Sequence, residues 1–186
     1  MAHRSSPPPR TDPPILAAQL REIGLFGALS DEVLEHLCKN LHERRVGAGE
    51  AVFREGEPAR EMYVVLDGEM EVLKKSRRGR DQRVAILGPH DTFGEMSVID
   101  MQPRSATVRA LAPSRVLRIS TEDMDALYRF DLKAYALIVL NLARDLSRRL
   151  RVTDSILADF TASVLDEYVP AGSQTGAQST QSTQKK

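Results

Sequence analysis

The residues whose types suit binding chemistry lie in one stretch, Thr92 to Ala110. Gly94 lets the backbone bend closely around a ligand, and a short helical run follows it. The first amide N–H groups of that run have no partner inside the helix, and such amides bind anions. Arg104 can add a forked, charge-assisted contact to a phosphate, while the carboxylate of Glu95 can accept hydrogen bonds from sugar hydroxyls. Together these groups suit a ligand that carries one phosphate charge and a ribose.

Residues 93–97 and 103–108 resemble the phosphate-binding cassette of cyclic nucleotide-binding domains. They read Phe93-Gly94-Glu95-Met96-Ser97 and Pro103-Arg104-Ser105-Ala106-Thr107-Val108. The similarity spans roughly residues 20–157 and is closest to the sensor half of the catabolite activator family. It implies that Glu95 holds the ribose 2′-hydroxyl, that Arg104 and the cassette amides hold the cyclic phosphate, and that Ser105 touches it. The implied binding residues are Gly94, Glu95, Met96, Ser97, Arg104 and Ser105. Met101 is a departure, because a glycine is common at that position of the cassette turn.

The same resemblance extends to residues 148–154. In that family a threonine and the polar residue after it, near the end of a long helix, cap the base across a dimer. It therefore implies this role for Thr153 and Asp154. Both side chains can accept hydrogen bonds from the exocyclic amine of adenine, whereas guanine presents an acceptor oxygen at that edge. We predict that cAMP is favoured and that cGMP is the weaker ligand.

A heptad pattern runs through the C-terminal helix without a break. Its members are Leu132, Ala136, Val139, Ala143, Leu146, Leu150, Thr153, Leu157, Phe160 and Val164. Steps that alternate between four and three residues are typical of a coiled coil, so we predict a parallel homodimer through Ala143 to Val164. A second set, Leu137, Leu140 and Leu142, is predicted to pack back onto the rest of the chain.

The remaining pattern predicts an α+β protein built on a β-roll, a double-stranded jelly roll, with flanking N-terminal helices and a long C-terminal dimerisation helix. Ser30 and Ser120 are predicted N-caps of helices, and Asp67-Gly68 is predicted to form a hairpin turn. We expect a disordered arm at residues 1–14 and the binding domain with its coiled-coil helix at 15–168. A disordered tail is expected at 169–186.

Composition narrows the function. The chain has 26 basic and 26 acidic residues, so its formal net charge is zero, which argues against bulk electrostatic binding to nucleic acid or an acidic membrane. Cys38 is the only cysteine, which excludes an intrachain disulfide. No nucleophile–base pair or cluster with metal-ligand spacing is recognisable, so no enzyme activity is expected. Without a secretory signal or an apolar run of membrane length, the expected location is the cytoplasm.

Three hypotheses follow. The first is a stand-alone cyclic nucleotide sensor that signals through its dimer or an unknown effector protein. The second is a β-roll that has lost its ligand and serves as a dimerisation or docking module, with Glu95 and Arg104 forming an internal ion pair. The third is a nucleic-acid-associated regulator that uses the basic loop Lys74–Arg80 and the arginines of the long helix, Arg144, Arg148, Arg149 and Arg151. No helix-turn-helix is recognisable after the long helix, so neither a DNA-binding domain nor a membrane partner is expected.

Overall fold

The computed structural model describes the backbone of residues 15–168 and the side chains of residues 15–164. The expected disordered arm at 1–14 and tail at 169–186 lie outside the described residues. The helices are α1 (Ala17–Glu22), α2 (Asp31–Asn40), α3 (Met96–Ile99), α4 (Thr121–Phe130) and α5 (Leu132–Tyr168), with a 3₁₀ turn at Gly24–Phe26. None of the described helices is long and apolar enough to cross a bilayer.

Eight strands form two antiparallel sheets. They are β1 (His42–Val46), β2 (Ala51–Phe53), β3 (Glu61–Asp67), β4 (Met70–Lys75), β5 (Asp81–Leu87), β6 (Thr92–Phe93), β7 (Thr107–Ala110) and β8 (Ser114–Ser120). One sheet has the order β1-β8-β3-β6 and the other has the order β2-β7-β4-β5. The two faces enclose apolar side chains such as Val65, Met70, Phe93 and Val116. This arrangement confirms the predicted β-roll with flanking helices and a long C-terminal helix.

Local capping signals predicted the helix starts correctly. The hydroxyl of Ser30 accepts a hydrogen bond from the N–H of Val33 at 3.4 Å, which satisfies one of the open donors of α2. Ser120 forms a capping box with Asp123 at the start of α4. Asp131 separates α4 from α5, and its carboxylate accepts from the N–H of Ala134 at 3.0 Å.

The predicted hairpin at Asp67-Gly68 is wrong. β3 and β4, on either side of this turn, belong to different sheets, so the turn carries the chain from one sheet to the other. Gly68 has φ +89°, and a Cβ at this position would lie 2.2 Å from the hydroxyl oxygen of Ser114. A glycine is therefore required here by both conformation and space. The local turn chemistry was read correctly, but the strand pairing depends on distant residues.

The prediction of which α5 residues pack on the core is confirmed for Leu142 and wrong for Leu140, and Leu137 is only half-buried. Ala134, Ile138 and Leu142 are buried against the helical end of the core, whereas Leu140 is 45% exposed. The buried residues follow one another at intervals of four, the spacing of neighbours on one helix face. Both Leu140 and its neighbour Val139 point away from the core, so these apolar residues remain on the surface.

Residues 144–168, the C-terminal part of α5, form a separate compact unit. Its apolar side chains are largely exposed, including Leu150, Leu157 and Phe160, each more than 60% exposed. Because these residues recur at heptad spacing, this part of α5 carries an apolar stripe that is exposed in the single chain.

Candidate functional site

The cassette begins where the short strand β6 ends at Phe93. Gly94 has φ +77°, a left-handed conformation that favours glycine, and it turns the chain into the four-residue helix α3. The N–H groups of Val98 and Ile99 both donate to the carbonyl oxygen of Glu95. The amides of the two preceding residues, Met96 and Ser97, therefore come before the first hydrogen bond inside the helix. This is the helix start that the sequence predicted.

The backbone of Arg104 is fixed by the loop between β2 and β3. Its N–H donates to the carbonyl oxygen of Glu57, and its own carbonyl accepts from the N–H of Gly56, each at 2.9 Å. The side chain is only 4% exposed. Burial of this kind lowers the pKa of Arg104, although nearby groups including Glu61 act in the opposite direction. An arginine remains charged under these conditions, so the site holds a buried cation.

The guanidinium of Arg104 lies directly beside Gly94. Its Nη1 donates to the carbonyl oxygens of Glu61 at 2.7 Å and Gly94 at 3.0 Å. Its Nε is buried and has no hydrogen-bond partner in the described part of the chain. A Cβ at position 94 would lie 2.5 Å from Nη1, so the close approach requires glycine for steric reasons as well. The ring of Phe53 covers one face of the guanidinium, with Cζ 3.8 Å from the ring centroid.

Three polar side chains near Arg104, those of Glu61, Tyr63 and Arg118, were not predicted from the sequence. The Tyr63 hydroxyl donates to one oxygen of Glu61, and Nε of Arg118 donates to the other. Burial raises the pKa of Tyr63 to about 12, with a further contribution from Glu61. Burial pushes the pKa of Glu61 upward, but the hydrogen bonds from Tyr63 and Arg118 outweigh it and the net shift is downward. The available signal was a glutamate at the start of β3 and a tyrosine among the apolar residues of the same strand.

The other predicted cassette residues include two buried polar side chains and a contact between the two ends of the cassette. Glu95 and Ser97 are both at least nine-tenths buried. The hydroxyl of Ser105 lies 3.7 Å from the sulfur of Met96, so the two ends of the cassette meet. Lys74 donates to the carbonyl oxygen of Ser105, which ties the end of β4 to the same place. The structure thus brings Gly94, Glu95, Met96, Ser97, Arg104 and Ser105 into one cluster.

Met101 occupies a position whose backbone conformation suits glycine. Its φ is +55°, and its side chain is 85% exposed. A left-handed conformation costs a non-glycine residue roughly 1–2 kcal/mol. The departure from the cassette pattern therefore keeps the turn geometry and adds local strain.

Thr153 and Asp154 lie on the exposed helix of the second unit. The Thr153 hydroxyl donates to the carbonyl oxygen of Arg149 at 3.0 Å, a local contact within α5. The role of these two residues toward a base stays a prediction. Two of the arginines in the nucleic-acid hypothesis, Arg148 and Arg149, form ion pairs with Asp145 at 3.2 Å and 2.8 Å.

The basic loop of the same hypothesis is the tip of the hairpin between β4 and β5. The N–H of Ser76 donates to the carbonyl oxygen of Arg80 at 2.8 Å, and Gly79 has φ +75°. At the base of the hairpin, Lys74 forms an ion pair with Glu55 at 3.0 Å. The loop is therefore an ordered hairpin tip whose residues are mostly exposed to solvent.

Comparison with known proteins gives one family. Residues 43–130 match the family model described as "Cyclic nucleotide-binding domain". The chain is 33% identical over 140 residues to the CRP-like cAMP-activated global transcriptional regulator of Mycobacterium tuberculosis. This match covers 75% of the chain and 61% of that protein, so the chain spans about three fifths of the length of this relative.

Several solved structures are similar to this chain, including the two that follow. The crystal structure of a cyclic nucleotide-binding domain from Methylobacillus flagellatus has a TM-score of 0.69 and 28% identity, covering 77% of this chain and 81% of that one. The N-terminal domain of a transcriptional regulator from Streptomyces coelicolor has a TM-score of 0.63 and 30% identity, covering 70% of this chain and 94% of that one.

Proposed function

The chain belongs to the family of cyclic nucleotide-binding domains, and we propose that it is a cyclic nucleotide sensor that binds cAMP between Gly94 and Ser105. The observation that carries this proposal is the buried guanidinium of Arg104, whose Nε has no hydrogen-bond partner among the described residues. A buried cation with an unsatisfied donor is costly unless an anion pairs with it. The name of the mycobacterial relative, a cAMP-activated regulator, supports cAMP as the nucleotide.

Each cassette residue has a proposed role. Arg104 and the amides from Gly94 to Ser97 hold the cyclic phosphate, Ser105 adds its hydroxyl to the same group, and Glu95 accepts a hydrogen bond from the ribose 2′-hydroxyl. The burial of Glu95 supports its role, because a carboxylate shielded from water discriminates strongly between a ligand with a hydroxyl and one without. The bound nucleotide then acts through the dimer or through an effector protein.

Titration calorimetry with cAMP, using linear 5′-AMP as the control ligand, tests the proposed function. We expect saturable binding of cAMP and much weaker binding of 5′-AMP, because its doubly charged phosphate lacks the cyclic geometry. No heat of binding with cAMP or cGMP would favour the second hypothesis, in which the roll is a docking module. In that case the guanidinium of Arg104 serves only to hold the carbonyls of Gly94 and Glu61.

Glu95→Ala is expected to weaken cAMP binding and to reduce the preference for cAMP over its 2′-deoxy analogue. A hydrogen bond to a charged group is worth about 1.5–3 kcal/mol, so wild type should prefer cAMP by roughly ten- to a hundredfold. Calorimetry with both ligands on both proteins measures the two preferences. If the variant retains the full preference for the ribose ligand, Glu95 does not bind the 2′-hydroxyl.

We also propose that Thr153 and Asp154 read the base, each from the opposite subunit of a dimer. Their acceptor oxygens favour the exocyclic amine of adenine and disfavour the carbonyl oxygen of guanine. The support is the match of residues 148–154 to the family pattern. Asp154 is the weaker member, since its carboxylate must lose water to reach the base.

Thr153→Val with Asp154→Ala should remove most of the preference for cAMP over cGMP. The expected change is about tenfold in the ratio of the two affinities, which corresponds to one or two hydrogen bonds. The matched control, Asp159→Ala with Thr161→Val, makes the same substitutions further along α5 and should leave the ratio unchanged. Equal affinities of wild type for the two nucleotides would contradict base reading by this helix.

A further inference from the structure

Phe53, at the end of β2, has no role in the cassette pattern, yet its ring makes the closest aromatic contact to the anion site. The Cζ atom of Arg104 lies 3.8 Å from the centroid of this ring. The ring of Tyr63 is further away, at 5.9 Å. A guanidinium at stacking distance from an aromatic face is attracted by the negative charge of that face, most strongly where water is excluded.

The backbone at Gly94 closes the Nη1 edge of the guanidinium, where its carbonyl oxygen accepts from Nη1 at 3.0 Å. A Cβ built there would lie 2.5 Å from Nη1 of Arg104 and 3.2 Å from Cε1 of Phe53. The guanidinium is therefore bounded by the peptide at Gly94 along its Nη1 edge and by the ring of Phe53 next to its Cζ atom. The orientation of its plane depends on both.

The hydrogen bonds of Arg104 show which edge of the guanidinium remains for a ligand. Nη1 is used by the carbonyl oxygens of Glu61 and Gly94. Nε is buried without a partner in the described part of the chain, and Nη2 shares an edge with it. Nε and Nη2 together form the side-on fork that binds two oxygens of a phosphate.

The ring of Phe53 is itself held in place. It is buried, and it packs against Tyr63 at 6.0 Å and Phe93 at 5.9 Å between centroids. Tyr63 and Phe93 stack on each other at 5.2 Å. Tyr63 is hydrogen-bonded to Glu61, whose carbonyl oxygen accepts from Arg104. The three rings therefore pack against one another next to the cation.

We propose that Phe53 is a positioning residue of the anion site, whose ring holds the guanidinium of Arg104 so that its Nε–Nη2 edge faces the phosphate of the ligand. This inference rests on the proposed cyclic nucleotide-binding function. Phe53 acts through Arg104, and the proposal requires no contact between Phe53 and the nucleotide. An aliphatic residue of similar volume would fill the space but would supply neither a flat surface nor a negatively charged face.

Phe53→Leu should weaken cAMP binding in calorimetry by about 3- to 30-fold, the range that a desolvated cation–π contact implies. The matched control is Phe26→Leu, which makes the same substitution at a buried site in the helical part of the core. Phe26→Leu should lower the melting temperature while leaving the affinity of the folded protein unchanged. If Phe53→Leu binds cAMP as tightly as wild type, the inference is overturned.

A double-mutant cycle separates positioning of the arginine from general support of the fold. In an Arg104→Gln background, Phe53→Leu should cost less than about twofold in affinity, because the group that the ring positions is absent. A full and additive loss in that background would show that Phe53 supports only the fold.

NMR of the Arg104 side chain tests the positioning without any nucleotide. In wild type, the Nε–H proton should be shifted upfield by the ring and should exchange slowly with water. Both signatures should disappear in Phe53→Leu, and their presence in that variant would overturn the inference. A wild-type protein that shows them but does not bind cAMP would contradict the proposed function instead.

Discussion

Arg104→Ala should lower the affinity for cAMP by at least about ten- to a hundredfold, the equivalent of one or more hydrogen bonds to a charged group. The expected loss is large because the guanidinium is the one buried cation that the structure places beside Gly94 and the start of α3 in the described residues. Calorimetry with cAMP on both proteins measures the change. Unchanged affinity would remove Arg104 from the binding site.

The same substitution should also reduce stability. Nη1 of Arg104 satisfies the carbonyl oxygens of Glu61 and Gly94, and its removal leaves them without this donor. An unsatisfied buried acceptor costs about 1–3 kcal/mol, so the free energy of unfolding should fall by roughly that amount. Urea denaturation measures this quantity, and affinity must be compared at a temperature where the variant is folded.

Arg109→Ala is a matched control for this prediction. Arg109 lies on β7, close to the cassette in sequence, but its guanidinium donates to the carboxylate of Glu71, with Nε at 2.7 Å. Its removal leaves a buried glutamate without its main partner and should therefore destabilise the protein. Affinity for cAMP should remain close to that of wild type. A similar loss of affinity in both variants would show that reduced stability, and not loss of the anion contact, explains the result.

Leu146→Glu with Leu150→Glu should convert a dimer into a monomer. Both residues lie on the predicted seam, and Leu150 is 61% exposed in the single chain. Full burial of a leucine side chain contributes about 1.5–3 kcal/mol, and two carboxylates facing their copies across the seam add desolvation and repulsion. The dimer dissociation constant should rise by more than about a thousandfold. Analytical ultracentrifugation over a range of concentrations measures it.

The control for the dimer prediction places the same charges on the opposite face of the helix. Ser155→Glu with Ala162→Glu changes two exposed positions that lie outside the heptad seam. This variant should remain dimeric, because its new carboxylates stay in water. A wild-type chain that is already monomeric at tens of micromolar would refute the dimer, and dissociation of the control would show that added charge alone disrupts it.

Features that depend on neighbours in sequence could be predicted from the sequence alone. The N-caps at Ser30 and Ser120, the turn at Gly94 and the start of α3 each depend on a few adjacent residues, and the structure contains all of them. The hydroxyl at an N-cap meets an amide three residues later, and a left-handed turn needs a glycine at one position. The heptad spacing of α5 can likewise be recognised from the sequence, but the sequence does not identify the partner of this helix.

Features that depend on distant residues were decided by the tertiary structure. The turn at Asp67-Gly68 looked like a hairpin, but pairing of β4 with β5 and β7 places its two strands in different sheets. The buried face of α5 includes the predicted Leu142, but its other members are Ala134 and Ile138, because these are the side chains that meet the helical core. Phe53 contacts Arg104 although the two residues are far apart in the sequence, and no spacing of residues in the sequence indicates this contact. Such contacts form only when separate elements pack together. The local sequence specifies each helix or strand, whereas shape and burial decide which elements pack against each other.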